Sequence, residues 1–141
     1  LEPTPGDGKL VRLLESRGFS VEAPSNFDDR AWRRPPYDAI VMNPPFTPMA
    51  RGYSILNQCM EMSDVVIALM PWLAIINSEG RTGRFLEYGL ASVTHLPRVA
   101  FPGSRVQCCI LELNRGHRGR TSMLFLNRDG NVHNAEAGLF T

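Results

Sequence analysis

Apolar runs alternate with amphipathic stretches along this chain, and their spacing predicts strands and helices in turn. Val65 to Met70 is an unbroken apolar run, the composition of a strand buried on both faces of a parallel sheet. Tyr37 to Met42 reads as a second compact apolar strand. Between Lys9 and Arg17, Leu10, Val11, Leu13 and Leu14 recur at helical spacing, and Gly18 ends that helix. Further helices are predicted over Tyr53 to Met62 and around Gly80 to Tyr88, with a helical or irregular stretch after Met70. Leu1 to Pro3 reads as the end of a strand, and Phe19 to Ala23 as a short strand stopped by Pro24. Asp28 to Trp32 has room for one helical turn before Pro35-Pro36 forbids more. Asn43 to Arg51 is a loop with three prolines. Ala91 to Leu96 and Val106 to Leu113 are strands joined by a Pro-Gly connection, and Thr121 to Asn127 offers one more. Strand and helix in alternation, then strands together, predict an α/β sheet with an antiparallel end.

The size, 141 residues, suits one domain over 1–141, and 43% hydrophobic content excludes disorder as the general state. The longest apolar run, around Val65 to Ile76, is broken by Pro71 and too short to span a membrane. The chain opens Leu-Glu-Pro-Thr without an initiator Met or signal peptide, in what reads as a strand end, so an upstream piece of the native protein is expected. Cys59, Cys108 and Cys109 are too few and badly spaced for a disulfide framework or a zinc site, which fits structural thiols and a cytoplasmic setting. Net charge is only +1, but residues 89–128 hold six arginines against Glu112 alone. Arginine, the better phosphate fork, outnumbers lysine fourteen to one. A solvated surface satisfies the same bias.

Two short constellations carry candidate chemistry. In Glu2-Pro3-Thr4-Pro5-Gly6-Asp7-Gly8 a strand ends, a glycine turn follows and a helix starts. Glycines admit close backbone approach and a helix N-terminus offers free N–H groups, as a nucleotide-type cofactor site requires. A plain glycine turn satisfies the same residues. The dinucleotide pattern needs a third glycine where Val11 stands, which disfavours NAD.

The second constellation, Asn43-Pro44-Pro45-Phe46, follows a predicted strand directly. Two prolines stiffen the chain and remove two N–H donors while keeping their carbonyls. The Asn43 amide oxygen adds an acceptor, and Phe46 an aromatic face. Such a pocket suits a planar group bearing an NH2; a Pro-rich structural loop with Phe46 in the core is the alternative.

At these two places the sequence resembles the amino-group methyltransferases that use S-adenosylmethionine. Glu2-Pro3-x-x-Gly6-x-Gly8 looks like their cofactor loop, and Asn43-Pro44-Pro45-Phe46 like their catalytic motif, most typical of N6-adenine DNA methyltransferases. It also resembles, less specifically, the small methylases of phages and mobile elements. The resemblance implies a doubly wound, mostly parallel Rossmann-like methyltransferase sheet with S-adenosyl-L-methionine as cofactor. It assigns Asn43, Pro44, Pro45 and Phe46 to catalysis and Glu2, Pro3, Thr4, Gly6 and Gly8 to the cofactor loop. Accepting both amine hydrogens at Asn43 and the Pro44 carbonyl would free the nitrogen lone pair to attack, and Phe46 would stack on an extruded base.

Two departures shape the expectation. Only 35 residues separate Gly8 from Asn43, room for one further strand where the family places two, so one strand–helix unit is missing. Glu22 can take the acidic ribose-holding role, and Asn26-Phe27 resembles the Asp-Phe pair that flanks the adenine. Second, no segment looks like a DNA-reading domain; the Arg115-Gly116-His117-Arg118-Gly119-Arg120 run could bind phosphate but not specify sequence. The expected partner is nucleic acid, DNA first and RNA second, with specificity supplied outside this chain. The expected activity is methylation of adenine N6 in DNA. Alternatives are RNA base amines, a protein glutamine side chain, or a non-catalytic module with weakened cofactor binding. Outside the two motifs, His95 reads as structural, and Met42, Met60, Met62 and Met70 as core. Trp32, Trp72, Arg51 and Tyr53 are candidates to border the site.

Overall fold

The computed structural model describes residues 1–29 and 35–133. Among them the elements run α1 (Lys9–Ser16), β1 (Ile40–Met42), α2 (Met49–Met62), β2 (Val65–Pro71), α3 (Leu73–Ile76), α4 (Glu79–Tyr88), β3 (Leu90–His95), β4 (Cys108–Asn114) and β5 (Ser122–Phe125). The strands form one mixed sheet in the order β1-β2-β4-β3-β5. β1 pairs parallel with β2, and β3 with β5. β4 runs antiparallel to both of its neighbours, β2 and β3. The antiparallel part is therefore a single strand set between parallel ones, and the last strand, β5, pairs parallel at the edge.

Register sorts the sheet into two unlike faces. Ile40, Met42, Val66, Ala68, Met70, Cys109, Leu111, Leu113 and Val93 share one face, and all are buried. Ile55, Leu56, Cys59 and Met60 of α2, Ala74 of α3 and Phe85 of α4 join them in the core. The apolar periodicity of α2 thus has a physical destination, the sheet. The opposite face carries Val41, Ile67, Leu69 and Ile110, only partly covered, and a polar trio at its far side: Ser92 Oγ donates to Glu112 Oε2 at 2.9 Å and Asn114 Nδ2 to Oε1 at 3.0 Å.

The first residues lie beside β1 and bond to it, although the strand end expected over Leu1 to Pro3 does not form as a strand. Val41 N donates to the Leu1 carbonyl (3.0 Å), and Glu2 N to the Glu22 carbonyl (2.9 Å). That bond is the main trace of the strand expected over Phe19–Ala23. No strand forms there, because the segment lies between Gly18 and Pro24 with Phe19 exposed, leaving no row of partners. The strand expected from Tyr37 shortens to Ile40–Met42, and Tyr37 itself forms an isolated bridge with Ser63. The helix expected from Tyr53 starts four residues earlier, at Met49, directly after Pro48. Of the turn expected over Asp28–Trp32, residues 30–32 lie outside the described residues, as does Trp32 itself.

All three cysteines are free and buried; burial pushes the Cys108 thiol up and the Cys109 thiol to about 12, so both are inert packing groups. Met42, Met60, Met62 and Met70 sit in the core. Among the described residues no helix is long and apolar enough to cross a membrane.

Candidate active site

The two constellations meet at neighbouring strand ends. Glu2 is 1% exposed, and its Oε1 accepts from Thr4 N (2.8 Å) and Thr4 Oγ1 (3.1 Å). Burial raises its carboxyl above the ordinary glutamate range, against the lowering effect of the two Thr4 bonds. Thr4 Oγ1 also lies 3.2 Å from the Asn43 carbonyl, so one hydroxyl ties the glycine turn to the Asn-Pro-Pro loop. The turn is shaped by Gly6 (φ 52°) and Gly8 (φ 75°), conformations that favour glycine. Gly8 N donates to the Pro5 carbonyl at 2.7 Å, and Gly8 caps α1. Asp7 and Lys9 make an exposed ion pair at 3.0 Å, and the Lys9 hydrogen bond holds the Asp7 carboxyl below its ordinary range.

Two cavities share the wall made by Thr4, Pro5, Gly6 and Asn43. One, about 590 Å³, adds Pro3, Pro24 to Phe27, Pro45, and Arg51 and Ile55 of α2. The other, about 580 Å³, opens on the half-covered sheet face, where Val41, Ile67, Leu69 and Ile110 meet Leu10, Leu96 and Phe101, with Glu2 at the wall. The structure therefore brings Glu2, Pro3, Thr4, Gly6, Asn26, Phe27, Asn43 and Pro45 to cavity linings. Glu22, Gly8, Pro44 and Phe46 line neither cavity. Pro44 is buried, Phe46 and Glu22 are half-buried, and Asn43 is exposed at the wall.

Sequence reasoning missed two residues here. Gly52, in the first turn of α2, is buried with its Cα against the loop: a Cβ there would stand 2.6 Å from the Pro45 carbonyl oxygen. Its signal, a glycine inside a helical stretch, reads locally as loop. Phe101 supplies an aromatic ring to the sheet-face cavity from a segment that looks like a plain Pro-Gly connection.

The other candidates separate clearly. Arg51 lines the cavity with its guanidinium on Asp28 Oδ2 (2.7 Å) and 5.9 Å from the Phe27 ring centre. Tyr53 lies on another side of α2, and Trp72 meets His95 edge-on at 5.6 Å, outside both cavities. Arg115 is engaged by the fold itself: Nε pairs with Asp64 Oδ1 (2.6 Å), a terminal nitrogen donates to the Met60 carbonyl (2.5 Å), and the guanidinium lies 4.8 Å from the Tyr88 ring centre.

No protein-family model matches the sequence, and no curated protein matches it significantly. Solved structures do match the fold. A Listeria monocytogenes protein assigned to the class I S-adenosylmethionine-dependent methyltransferases superposes with TM-score 0.65 at 13% identity, over 89% of this chain and 57% of that one. The M protein of the type I restriction enzyme EcoKI gives 0.57 at 14% identity, over 79% of this chain and 29% of its own length. The methyltransferase subunit of a Streptococcus thermophilus type I restriction-modification system gives 0.55 at 15%, over 80% and 32%. This chain thus spans between about a third and somewhat over half of those proteins. The likeness shows the fold, a Rossmann-like methyltransferase sheet flanked by helices.

Proposed function

We propose that this chain is an S-adenosylmethionine-dependent N-methyltransferase domain acting on adenine N6 in DNA. One observation carries the reading: the glycine turn and Asn43 form the common wall of two cavities, joined by the Thr4 hydroxyl. A two-substrate transfer needs two adjoining sites that let the reacting atoms approach to about 3–3.5 Å. The cavity of Pro3 to Gly6, Asn26 and Phe27 fits the cofactor in size, within the roughly 300–1,000 Å³ of small-molecule sites. Gly6 keeps side-chain bulk off its wall and the buried Phe27 offers an apolar surface. Bound there, S-adenosylmethionine supplies the electrophilic methyl group.

The chain's own residues orient the nucleophile. The sheet-face cavity is apolar, with Phe101 as its ring, and a planar base entering it reaches Asn43 at the wall. The Asn43 amide oxygen accepts an amine hydrogen, and the prolines hold that acceptor in place at no conformational cost during reaction. Calorimetry with S-adenosylmethionine, followed by tritium transfer from labelled cofactor to DNA, RNA and protein pools, tests the reading. Cofactor binding with label in DNA adenine is expected; label in RNA or protein instead would move the substrate. Glu22 outside the cavity linings favours a second reading, a module that keeps the fold without tight cofactor binding. Absence of calorimetric binding would establish it over the first.

A further inference from the structure

We infer that the cleft between α2 and α4 is a subsite for a backbone phosphate of the nucleic-acid substrate; this rests on the reading of that substrate above. The cleft, about 220 Å³, is lined by Tyr53, Leu56 and Asn57 of α2 and by Gly80, Arg81, Arg84 and Phe85 of α4. Two guanidiniums and one carboxamide face it, and no carboxylate is among its lining residues.

Arg81 is fixed before any ligand arrives. Its guanidinium lies 3.6 Å from the Tyr53 ring centre, and a terminal nitrogen donates to the Ala74 carbonyl at 3.4 Å. An arginine held over a ring in this way can turn the other N–H groups of its fork to an oxyanion. Arg84 stands one turn further along α4, exposed at the rim of the cleft, with no ion pair among the described residues. At Gly80 a Cβ would meet nothing within 4 Å, so the mouth of the cleft is open to a chain passing across it. A half-buried guanidinium held against a ring, with a second cation beside it and neither in an ion pair among the described residues, is a site for an external anion.

Position selects a phosphodiester. α2 separates the cleft from the cofactor cavity: Arg51 and Ile55 line that cavity beside Asn43, while Tyr53, Leu56 and Asn57 line the cleft. A helix is about 10–12 Å across, and one strand of duplex carries a phosphate about every 3.4 Å of axis. The base cavity lies beyond the cofactor cavity, on the sheet face away from α2, so a strand with one base at Asn43 reaches the cleft no fewer than about three nucleotides away. The late basic run is a poorer candidate, because Arg115 is engaged internally and Arg118 and Arg120 lie on an open turn.

The test is binding of a fluorescent DNA oligonucleotide to the full chain over a salt series. The variants are Arg84→Gln, Arg84→Lys and the double variant Arg118→Gln/Arg120→Gln. One lost phosphate contact should reduce the slope of log affinity against log salt by about 0.7 to 0.9. That reduction is expected for Arg84→Gln, with the slope retained in Arg84→Lys and in the double variant. An unchanged slope in Arg84→Gln while the parent binds DNA overturns the subsite and leaves the proposed reaction standing. Loss of slope in the Arg118/Arg120 variant alone overturns it in favour of the turn. A parent chain that binds no oligonucleotide at any salt overturns both the subsite and the nucleic-acid substrate, whatever the cofactor calorimetry shows.

Discussion

Two loops end neighbouring strands of this sheet and make one wall, yet they are held by opposite means. The first, Thr4 to Gly8, is held by hydrogen bonds: the buried Glu2 carboxyl takes two from Thr4, and Gly6 and Gly8 supply the left-handed backbone. The second, Asn43 to Pro48, is held by shape. Its prolines have no N–H to donate, and α2 presses a bare Cα at Gly52 against the Pro45 carbonyl. A loop held by polar groups responds to pH and to the loss of a single acceptor. A loop held by packing ignores pH and responds to volume. The difference suits the proposed roles, since a cofactor loop must admit and release its ligand while the acceptor at Asn43 must stay where it is.

The largest effect expected on the packed loop is chemical. Asn43→Ala removes the exposed amide while leaving Pro44 buried, so turnover should fall about 100-fold or more, by the scale of losing one preorganised group. Stability should stay within about 0.5 kcal/mol, the usual range for an exposed position. Full turnover in Asn43→Ala, measured as label transfer to DNA, would end the acceptor role. Next comes volume. Gly52→Ala introduces a Cβ 2.6 Å from a carbonyl oxygen, and overpacking of this kind costs about 1–3 kcal/mol. The loop or the helix must move, and a displacement of about 1 Å at reacting groups costs roughly 100-fold in rate. Denaturant melts and turnover of Gly52→Ala should both fall. An alanine variant as stable and active as the parent would show that the loop is not held by this contact.

The same contrast explains what the sequence could reveal. Both loops were visible because Gly and Pro act on their own backbone, whatever surrounds them. β2 was visible as an apolar run, and β4 as a run apolar up to Leu111, with Glu112 on the half-covered face. Gly52 was hidden, because what makes it necessary is Pro45, brought near by folding. The start of α2 was hidden for a related reason: Met49 to Arg51 carries no cap, and the last loop proline serves as the N-cap in extended conformation. Phe101 and the internal engagement of Arg115 are likewise tertiary facts, in a stretch that reads locally as turn and charge. Glu22 took its role from the resemblance alone, and with Pro44 and Phe46 it is a motif position whose side chain the cavities leave out.

The smallest expected effect belongs to the polar loop and is a change of slope. Burial raises the Glu2 carboxyl, so the folded chain holds a proton there that the unfolded chain has released. Between the ordinary glutamate range and the raised folded value, the folded state binds more protons than the unfolded one, and stability falls as pH rises. The Glu2 contribution is therefore complete below the unfolded value and lost as pH climbs through the folded one. Asp7, fully exposed in the same turn, has the opposite sign: the Lys9 hydrogen bond lowers it, and its contribution is lost as pH falls. Glu2→Gln keeps an oxygen to accept from Thr4 but cannot ionise, so its stability should lose the decline above the glutamate range and keep the one at the acid end. Thermal melts of parent and variant from acid to neutral pH check this. Parallel curves would mean that Glu2 ionises as freely folded as unfolded, and the first loop would then rest, like the second, on shape.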